Sequence, residues 1–220
     1  MNDEERAGLS REGIAARVAA DLRNGWYVNL GIGMPLAIPK YLSPDVKATL
    51  HSENGIMGLG PPPGDGDEAS PDLIDAAKLP VTLIPGGSVF DSSISFGLVR
   101  GGHLDLAVLG GLQVSKSGDL ANWNVPGGSV GVGGAMDLVV GAQRVWVMMD
   151  QVSRSGDSKI VETCDLHLTG RGVVDRVYTN LGVFEMVAEC LTLVECSPGI
   201  SVDHVLSQTA ADVRVELAAG

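Results

Sequence analysis

Leu79-Pro80-Val81-Thr82-Leu83-Ile84, Pro85-Gly86-Gly87, Asp91 through Arg100 (Asp-Ser-Ser-Ile-Ser-Phe-Gly-Leu-Val-Arg), then Leu104-Asp105-Leu106-Ala107-Val108-Leu109 form the stretch that decides the fold. It reads as a buried strand, a turn, a helix and a second strand. Strands alternating with helices through short glycine turns imply an α/β protein of three-layer α/β/α type, with a largely parallel sheet covered on both faces. The same alternation continues upstream. Ser10 is placed to cap a helix whose apolar residues Ile14, Val18 and Leu22 recur every four positions, and Asn24-Gly25 ends it. Trp26 to Leu30 reads as a strand, Gly31-Ile32-Gly33 as a turn, and Pro35 suits the first turn of a helical stretch. Downstream, the segment from Gly110 to Gly134 carries little regular signal. Ala135 to Val140 starts a helix, and Arg144 to Met149 is a strong strand. The tail is more β-rich, with runs at Lys159–Val161, Val173–Tyr178, Phe184–Val187 and Leu191–Glu195, and a final helix begins near Ser201. No internal repeat or linker interrupts the chain, so one domain over residues 1–220 is expected.

A chain of 220 residues buries roughly 70% of its unfolded surface, enough for a core without staples. Its 30 glycines suit loops gathered round a site. A formal charge of −12 repels phosphates and sets aside nucleic acid and anionic membranes as partners. The start, Met1-Asn2-Asp3-Glu4-Glu5-Arg6, lacks the basic and apolar regions of a signal peptide, and no apolar run is long enough to span a bilayer, so a cytoplasmic place is expected. Cys164, Cys190 and Cys196 make an odd count with no C-x-x-C spacing and read as buried thiols in a reducing compartment. Four scattered histidines give no metal site, and no P-loop occurs.

Two stretches invite chemistry on their residues alone. Val46 to Leu50 reads as a short strand and Asn54-Gly55 as a turn, which puts Glu53 at a strand's carboxyl end, where open α/β sheets place their sites. A carboxylate there is suited to attack an activated acyl carbon and form a covalent intermediate; a solvated acid beside a turn is the other reading. His51, two residues earlier, shares its face in a regular strand and is placed to influence that carboxylate; a packed or hydrogen-bonded histidine is the favoured reading. Upstream, Gly31 and Gly33 let the backbone approach a ligand and Asn29 offers an amide N–H₂. The dinucleotide pattern G-x-G-x-x-G is incomplete because Leu36 stands at its third glycine, and NAD is discounted. Two further features stand out. Gly127-Gly128-Ser129-Val130-Gly131 matches the hydrolase elbow G-x-S-x-G, but Pro126 cannot donate to an interior ladder, and the match is read as accidental. The loop 61–72, rich in proline, glycine and acids, is either a flap limiting water beside Glu53 or a solvated surface loop.

Ser52-Glu53-Asn54-Gly55 followed by Gly58-Leu59-Gly60-Pro61 resembles the active-site signature of the B (beta) subunit of class I 3-oxoacid CoA-transferases. Val28-Asn29-Leu30-Gly31-Ile32-Gly33, Phe96 to His103, Lys116 to Trp123, Gly133 to Val139 and Leu168-Thr169-Gly170 are similar to blocks of the same family, in its order and over nearly the whole chain. The resemblance implies the CoA-transferase (NagB/RpiA-like) fold and transfer of CoA from succinyl-CoA, or another acyl-CoA, to a 3-oxo acid such as acetoacetate or 3-oxoadipate. It implies that Glu53 carries an acyl anhydride and then a CoA thioester, with ping-pong kinetics. It further implies that the Asn29 side chain and the Gly134 N–H stabilise the oxyanion, and that Gly31, Gly33, Asn54 and Gly55 shape the CoA and substrate loop. No cofactor is bound permanently, CoA entering as a thioester substrate. An A (alpha) subunit is implied, because no counterpart of the other half's Gly-Gly-Phe-Gly block occurs here. The chain departs from the family at Gln151 and Arg154, at His167 where a proline is common, and at Cys190 where a turn glycine is usual. The alternatives are an acyl-CoA hydrolase on the same scaffold and a non-catalytic partner subunit.

Overall fold

Ser10 starts the first helix as its composition suggests: its side chain accepts from the Gly13 N–H at 3.1 Å, and α1 runs Arg11–Asp21 with Ile14, Ala15, Val18 and Ala19 buried. The computed structural model describes residues 8–64, 70–124 and 131–217. The first seven residues, the centre of the proline-rich loop and, apart from Gly131, the elbow-like motif at 127–131 fall outside them.

After α1 comes β1 (Tyr27–Leu30). The helical stretch behind Gly33 is a 3₁₀ helix, Met34–Tyr41, rather than an α-helix; Pro39, with no N–H to donate, stands inside it. β2 (Thr49–Ser52), β3 (Ile56–Leu59) and β4 (Leu83–Val89) follow. Next come α2 (Ser92–Arg100), whose start is held by the Asp91 carboxylate accepting from the Ser93 N–H at 2.7 Å, and β5 (Leu106–Gly110). β6 (Gln113–Ser115), β7 (Leu120–Ala121), α3 (Ala135–Gly141), β8 (Val145–Met148), β9 (Ile160–Val161) and β10 (Arg176–Tyr178) lead into the tail. There β11 (Gly182–Val187), β12 (Cys190–Cys196), α4 (Val202–Ser207, capped by Ser201) and β13 (Arg214–Val215) complete the order.

Among the described residues, ten strands form one sheet in the order β13-β12-β11-β10-β8-β5-β1-β2-β3-β4. Its centre, β2-β1-β5-β8-β10, is parallel throughout. Both flanks are built from antiparallel pairs, β2-β3-β4 on one side and β10-β11-β12 on the other, with β13 parallel to β12. The middle strands β5 and β8 are apolar on both faces. In β5, Leu106 and Val108 join one cluster, with α1 and the 3₁₀ helix, while Ala107 and Leu109 join a second, with α2, α3 and α4. That period-2 division gives the three layers. The first helix is tied to the sheet by charge as well. Asp21 accepts from the Tyr178 hydroxyl and from Arg176, each at 2.7 Å, and Arg17 forks onto Glu195 at 2.8 and 2.6 Å.

Four expectations are corrected. The strand placed at Leu79–Ile84 lies instead at Leu83–Val89, and Pro85-Gly86-Gly87 is inside it rather than a turn after it. β4 is an edge strand with a bulged register against β3, and that is where a strand tolerates proline. The weak-signal region from Gly110 contains β6 and β7; β6 pairs with β7 on one side and β9 on the other in a separate three-stranded sheet whose strands are too short for periodicity to reveal. The cysteines are free but half-buried rather than buried; burial raises the Cys164 thiol to about 11. Cys190 opens β12 instead of occupying a turn, the turn being Ala188-Glu189.

Candidate active site

β1 and β2 lie side by side in parallel, and their register sets Asn29 directly beside His51. Parallel neighbours in register point their side chains to the same face, here the face covered by α2. β2 then ends at Ser52, and the chain reverses in a tight turn closed by the Gly55 N–H donating to the Ser52 carbonyl at 3.0 Å. Glu53 is the first residue of that turn, at the carboxyl end of two parallel strands. β1 connects onward to β2 on one side and β5 onward to β8 on the other, so strand order reverses between β1 and β5, next to this turn, and makes the usual crevice of an open α/β sheet.

The residues converge on one atom group. Asn29 Nδ2 donates to Glu53 Oε2 at 3.1 Å, and lies 3.1 Å from His51 Nδ1 and 3.3 Å from the His51 carbonyl. His51 Nε2 is 2.9 Å from Ser95 Oγ on α2. Asn29, His51 and Ser95 are all buried, whereas Glu53 is half-buried and open to a substrate. Burial pushes the His51 imidazole down to about 4, so it is neutral at pH 7. Gly134, just ahead of α3, faces the same carboxylate. A methyl group there would stand 3.6 Å from Glu53 Cγ and 2.8 Å from two ring atoms of Phe96, so only glycine lets the backbone come this close. Among the described residues no carbonyl accepts from the Gly134 N–H.

Comparison with known proteins places the whole chain. The model of the coenzyme A transferase family matches residues 11–208. The chain belongs to the coenzyme A transferase family. The B (beta) chain of a probable succinyl-CoA:3-ketoacid coenzyme A transferase of Bacillus subtilis is 47% identical over 207 residues, covering 94% of this chain and 95% of that one. The corresponding B (beta) chain of a 3-oxoadipate CoA-transferase of Pseudomonas putida is 51% identical over 199 residues, covering 90% and 92%. Among solved structures, the acyl-CoA transferase YdiF of Escherichia coli O157:H7 superposes with a TM-score of 0.74 at 19% identity. The match covers 95% of this chain and 43% of that one, a likeness of fold.

In this coenzyme A transferase chain the other sequence-selected residues frame the turn. Asn54 is engaged within the protein: its Nδ2 donates to the Ile74 carbonyl at 2.7 Å, while Ser52 Oγ accepts from the Ala76 N–H at 2.9 Å. The two neighbours of Glu53 therefore pin the segment 74–76 on either side of it. Gly55 has φ +123°, and a methyl group on it would lie 2.0 Å from the Phe90 carbonyl. Gly31 donates its N–H to the Val108 carbonyl at 2.8 Å, and Gly33 takes φ +98° at the mouth of the 3₁₀ helix. On the opposite sheet face a cavity of about 400 Å³ opens beside the turn, lined by Leu30, Leu36, Lys40, Leu50, Ser52 and Ile84 among others. Lys40 is its single cation among the described residues.

The remaining family-like blocks meet each other rather than Glu53. Leu120 exchanges backbone hydrogen bonds with Thr169 and Gly170, and Trp123 Nε1 donates to the Leu168 carbonyl at 3.3 Å. His167, one of the departures, stacks on Trp123 with centroids 5.9 Å apart. Gln151, another, is buried with Nε2 donating to Thr209 Oγ1 at 2.8 Å. Sequence reasoning does not reach Ser95 as a site residue. Its one signal is a polar residue on the inward face of an amphipathic helix.

Proposed function

We propose that this chain is the beta subunit of a 3-oxoacid CoA-transferase. It moves CoA from succinyl-CoA to a 3-oxo acid such as acetoacetate or 3-oxoadipate, in a hetero-oligomer with an alpha subunit. The observation that carries the reading is the 3.1 Å hydrogen bond from Asn29 to one oxygen of Glu53, beside a glycine backbone close enough to share the work. The relatives from Bacillus subtilis and Pseudomonas putida set the substrate class.

In this reading Glu53 Oε1 attacks the thioester carbonyl of the donor, expels CoA thiolate and leaves an acyl-glutamyl anhydride. The thiolate attacks the glutamyl Cδ. Negative charge builds on Oε2, the oxygen that Asn29 already holds, and the Cδ–Oε1 bond breaks to release the first acid. The acceptor carboxylate then attacks the glutamyl-CoA thioester and the steps run backward. Asn29 thus serves the tetrahedral intermediates at the glutamyl carbonyl, where one preorganised donor is worth about 3–4 kcal/mol. The Gly134 N–H assists at the same centre, and Gly31, Gly33, Asn54 and Gly55 hold the surrounding backbone in shape. CoA enters and leaves as substrate. A chain of net charge −12 draws part of the positive charge needed by CoA and dicarboxylates from the alpha subunit. We also propose one domain over residues 1–220 and a cytoplasmic place; among the described residues no helix is long and apolar enough to cross a membrane.

The test is intact-mass analysis and peptide mapping of the complex mixed with succinyl-CoA without acceptor. A CoA-sized adduct on the Glu53 peptide, absent in Glu53→Ala, is expected. Steady CoA release without an adduct would establish the hydrolase reading instead, and neither adduct nor release, with several donors tried, would leave a non-catalytic role.

A further inference from the structure

We propose that His51 and Ser95 act as a positioning relay for the Asn29 amide, fixing which of its atoms faces the reacting carbonyl. The inference rests on the reading of Glu53 as the nucleophile. It begins with donors and acceptors. The amide nitrogen of Asn29 has three acceptors around it: Glu53 Oε2 and His51 Nδ1, each at 3.1 Å, and the His51 carbonyl at 3.3 Å. Its oxygen, Oδ1, is buried without a partner among the described residues. The reverse orientation would set that oxygen against a carboxylate and a carbonyl, so the nitrogen must face them. Nδ1 of His51 must then be bare, since a proton there would meet an Asn29 hydrogen head-on. The single proton of the neutral ring is therefore on Nε2, where Ser95 Oγ accepts it at 2.9 Å. Burial keeps that ring neutral at physiological pH.

The relay matters because Glu53 does not stay a carboxylate. Once Oε1 carries an acyl group or has been replaced by sulfur, the remaining oxygen is a carbonyl, a poorer acceptor than the ion. The strongest of Asn29's three anchors weakens at the stage when the amide must stay aimed. His51 Nδ1 keeps its acceptor strength through the whole cycle, and Ser95 keeps His51 in the tautomer that supplies it. Neither residue touches the acyl group; both act through Asn29.

The experiment compares wild type, His51→Leu, His51→Asn, Ser95→Ala and Glu53→Ala, each as the complex with the alpha subunit. It measures kcat, KM and the rate of CoA-adduct formation on Glu53 without acceptor. His51→Leu is expected to lower kcat and adduct formation about 100-fold, the loss that follows from a group misplaced by about 1 Å, with KM changed less than threefold. His51→Asn, whose side-chain oxygen stands where Nδ1 stood, is expected to recover turnover to within about tenfold of wild type on the same reasoning. Ser95→Ala, which preserves the helix, is expected to lose about tenfold as the ring becomes free to change tautomer. Nitrogen-15 shifts of the His51 ring are expected to show a protonated Nε2 and a bare Nδ1. Turnover by His51→Leu within twofold of wild type would overturn the relay, as would a His51→Asn variant no better than His51→Leu, or a ring protonated at Nδ1. A complex that turns over with full activity in Glu53→Ala would overturn the nucleophile assignment itself, a failure distinguishable from that of the relay.

Discussion

Asn29 carries two amide hydrogens and is surrounded by three acceptors, one of them the carboxylate proposed to react. Asn29→Ala is expected to lower kcat by about two to three orders of magnitude, the usual loss for one oxyanion donor, with the fold intact by circular dichroism. Turnover at the wild-type rate would remove Asn29 from the mechanism. His51 adds a pH dependence. Its folded pKa of about 4 lies below the unfolded value of 6.5, so the unfolded chain binds a proton that the folded chain refuses. The full stability is present above pH 6.5 and is lost as pH falls through that value toward 4, by roughly 3 kcal/mol in all. Urea unfolding at pH 7, 5.5 and 4.5 checks this, and His51→Asn should flatten the dependence over that window. At this scale Glu53 stood out at a strand's carboxyl end before a turn, and Asn29 and Gly134 through the family resemblance; the structure brings the three together, and their roles rest on the proposed mechanism. The link from His51 to Ser95 was not legible, because it joins residues 44 apart on a strand and a helix.

At the level of elements, the hairpin joining β11 to β12 closes through Val187 and Cys190 around a two-residue turn. Both turn residues, Ala188 at φ 46° and Glu189 at φ 62°, adopt left-handed backbone, which favours Asn-Gly and which Ala and Glu resist. Glu189→Gly is expected to stabilise the protein by about 1 kcal/mol and raise Tm by about 2–4 °C, read by calorimetry; Ala188→Asn should add to it. The other elements show how far periodicity reaches. α1, α2, β1 and β8 carry clear caps or long apolar runs and stand within a residue or two of where pattern places them. β4 was displaced because Pro85 and two glycines look like a turn until a neighbouring strand supplies the pairing that makes an edge of them. β6, β7 and β13 are two or three residues long, too short for any repeat to register, and they exist because distant partners complete them.

For the whole molecule, the alternation of strands and helices was enough to read the parallel centre of the sheet, because its middle strands β5 and β8 are buried on both faces and form near-continuous apolar runs. The antiparallel flanks were less legible, since their pairing depends on hairpin geometry more than on composition. With a net charge of −12, the chain by itself is expected to show no CoA exchange between succinyl-CoA and acetoacetate or 3-oxoadipate, and addition of the alpha subunit should restore it. Full activity of the isolated chain would end the two-subunit proposal. The sheet's outer border has a further consequence. β4 is seven residues long and terminates ten strands, yet Pro85 lacks an N–H, Gly86 turns at φ +87°, and the register against β3 slips. Each of these spoils the border as a template on which a stray polypeptide could lengthen the sheet. Pro85→Thr should return the missing donor and with it a tendency to form thioflavin-positive fibrils during overexpression, which ties the colloidal behaviour of the newly made polypeptide to a single pyrrolidine ring.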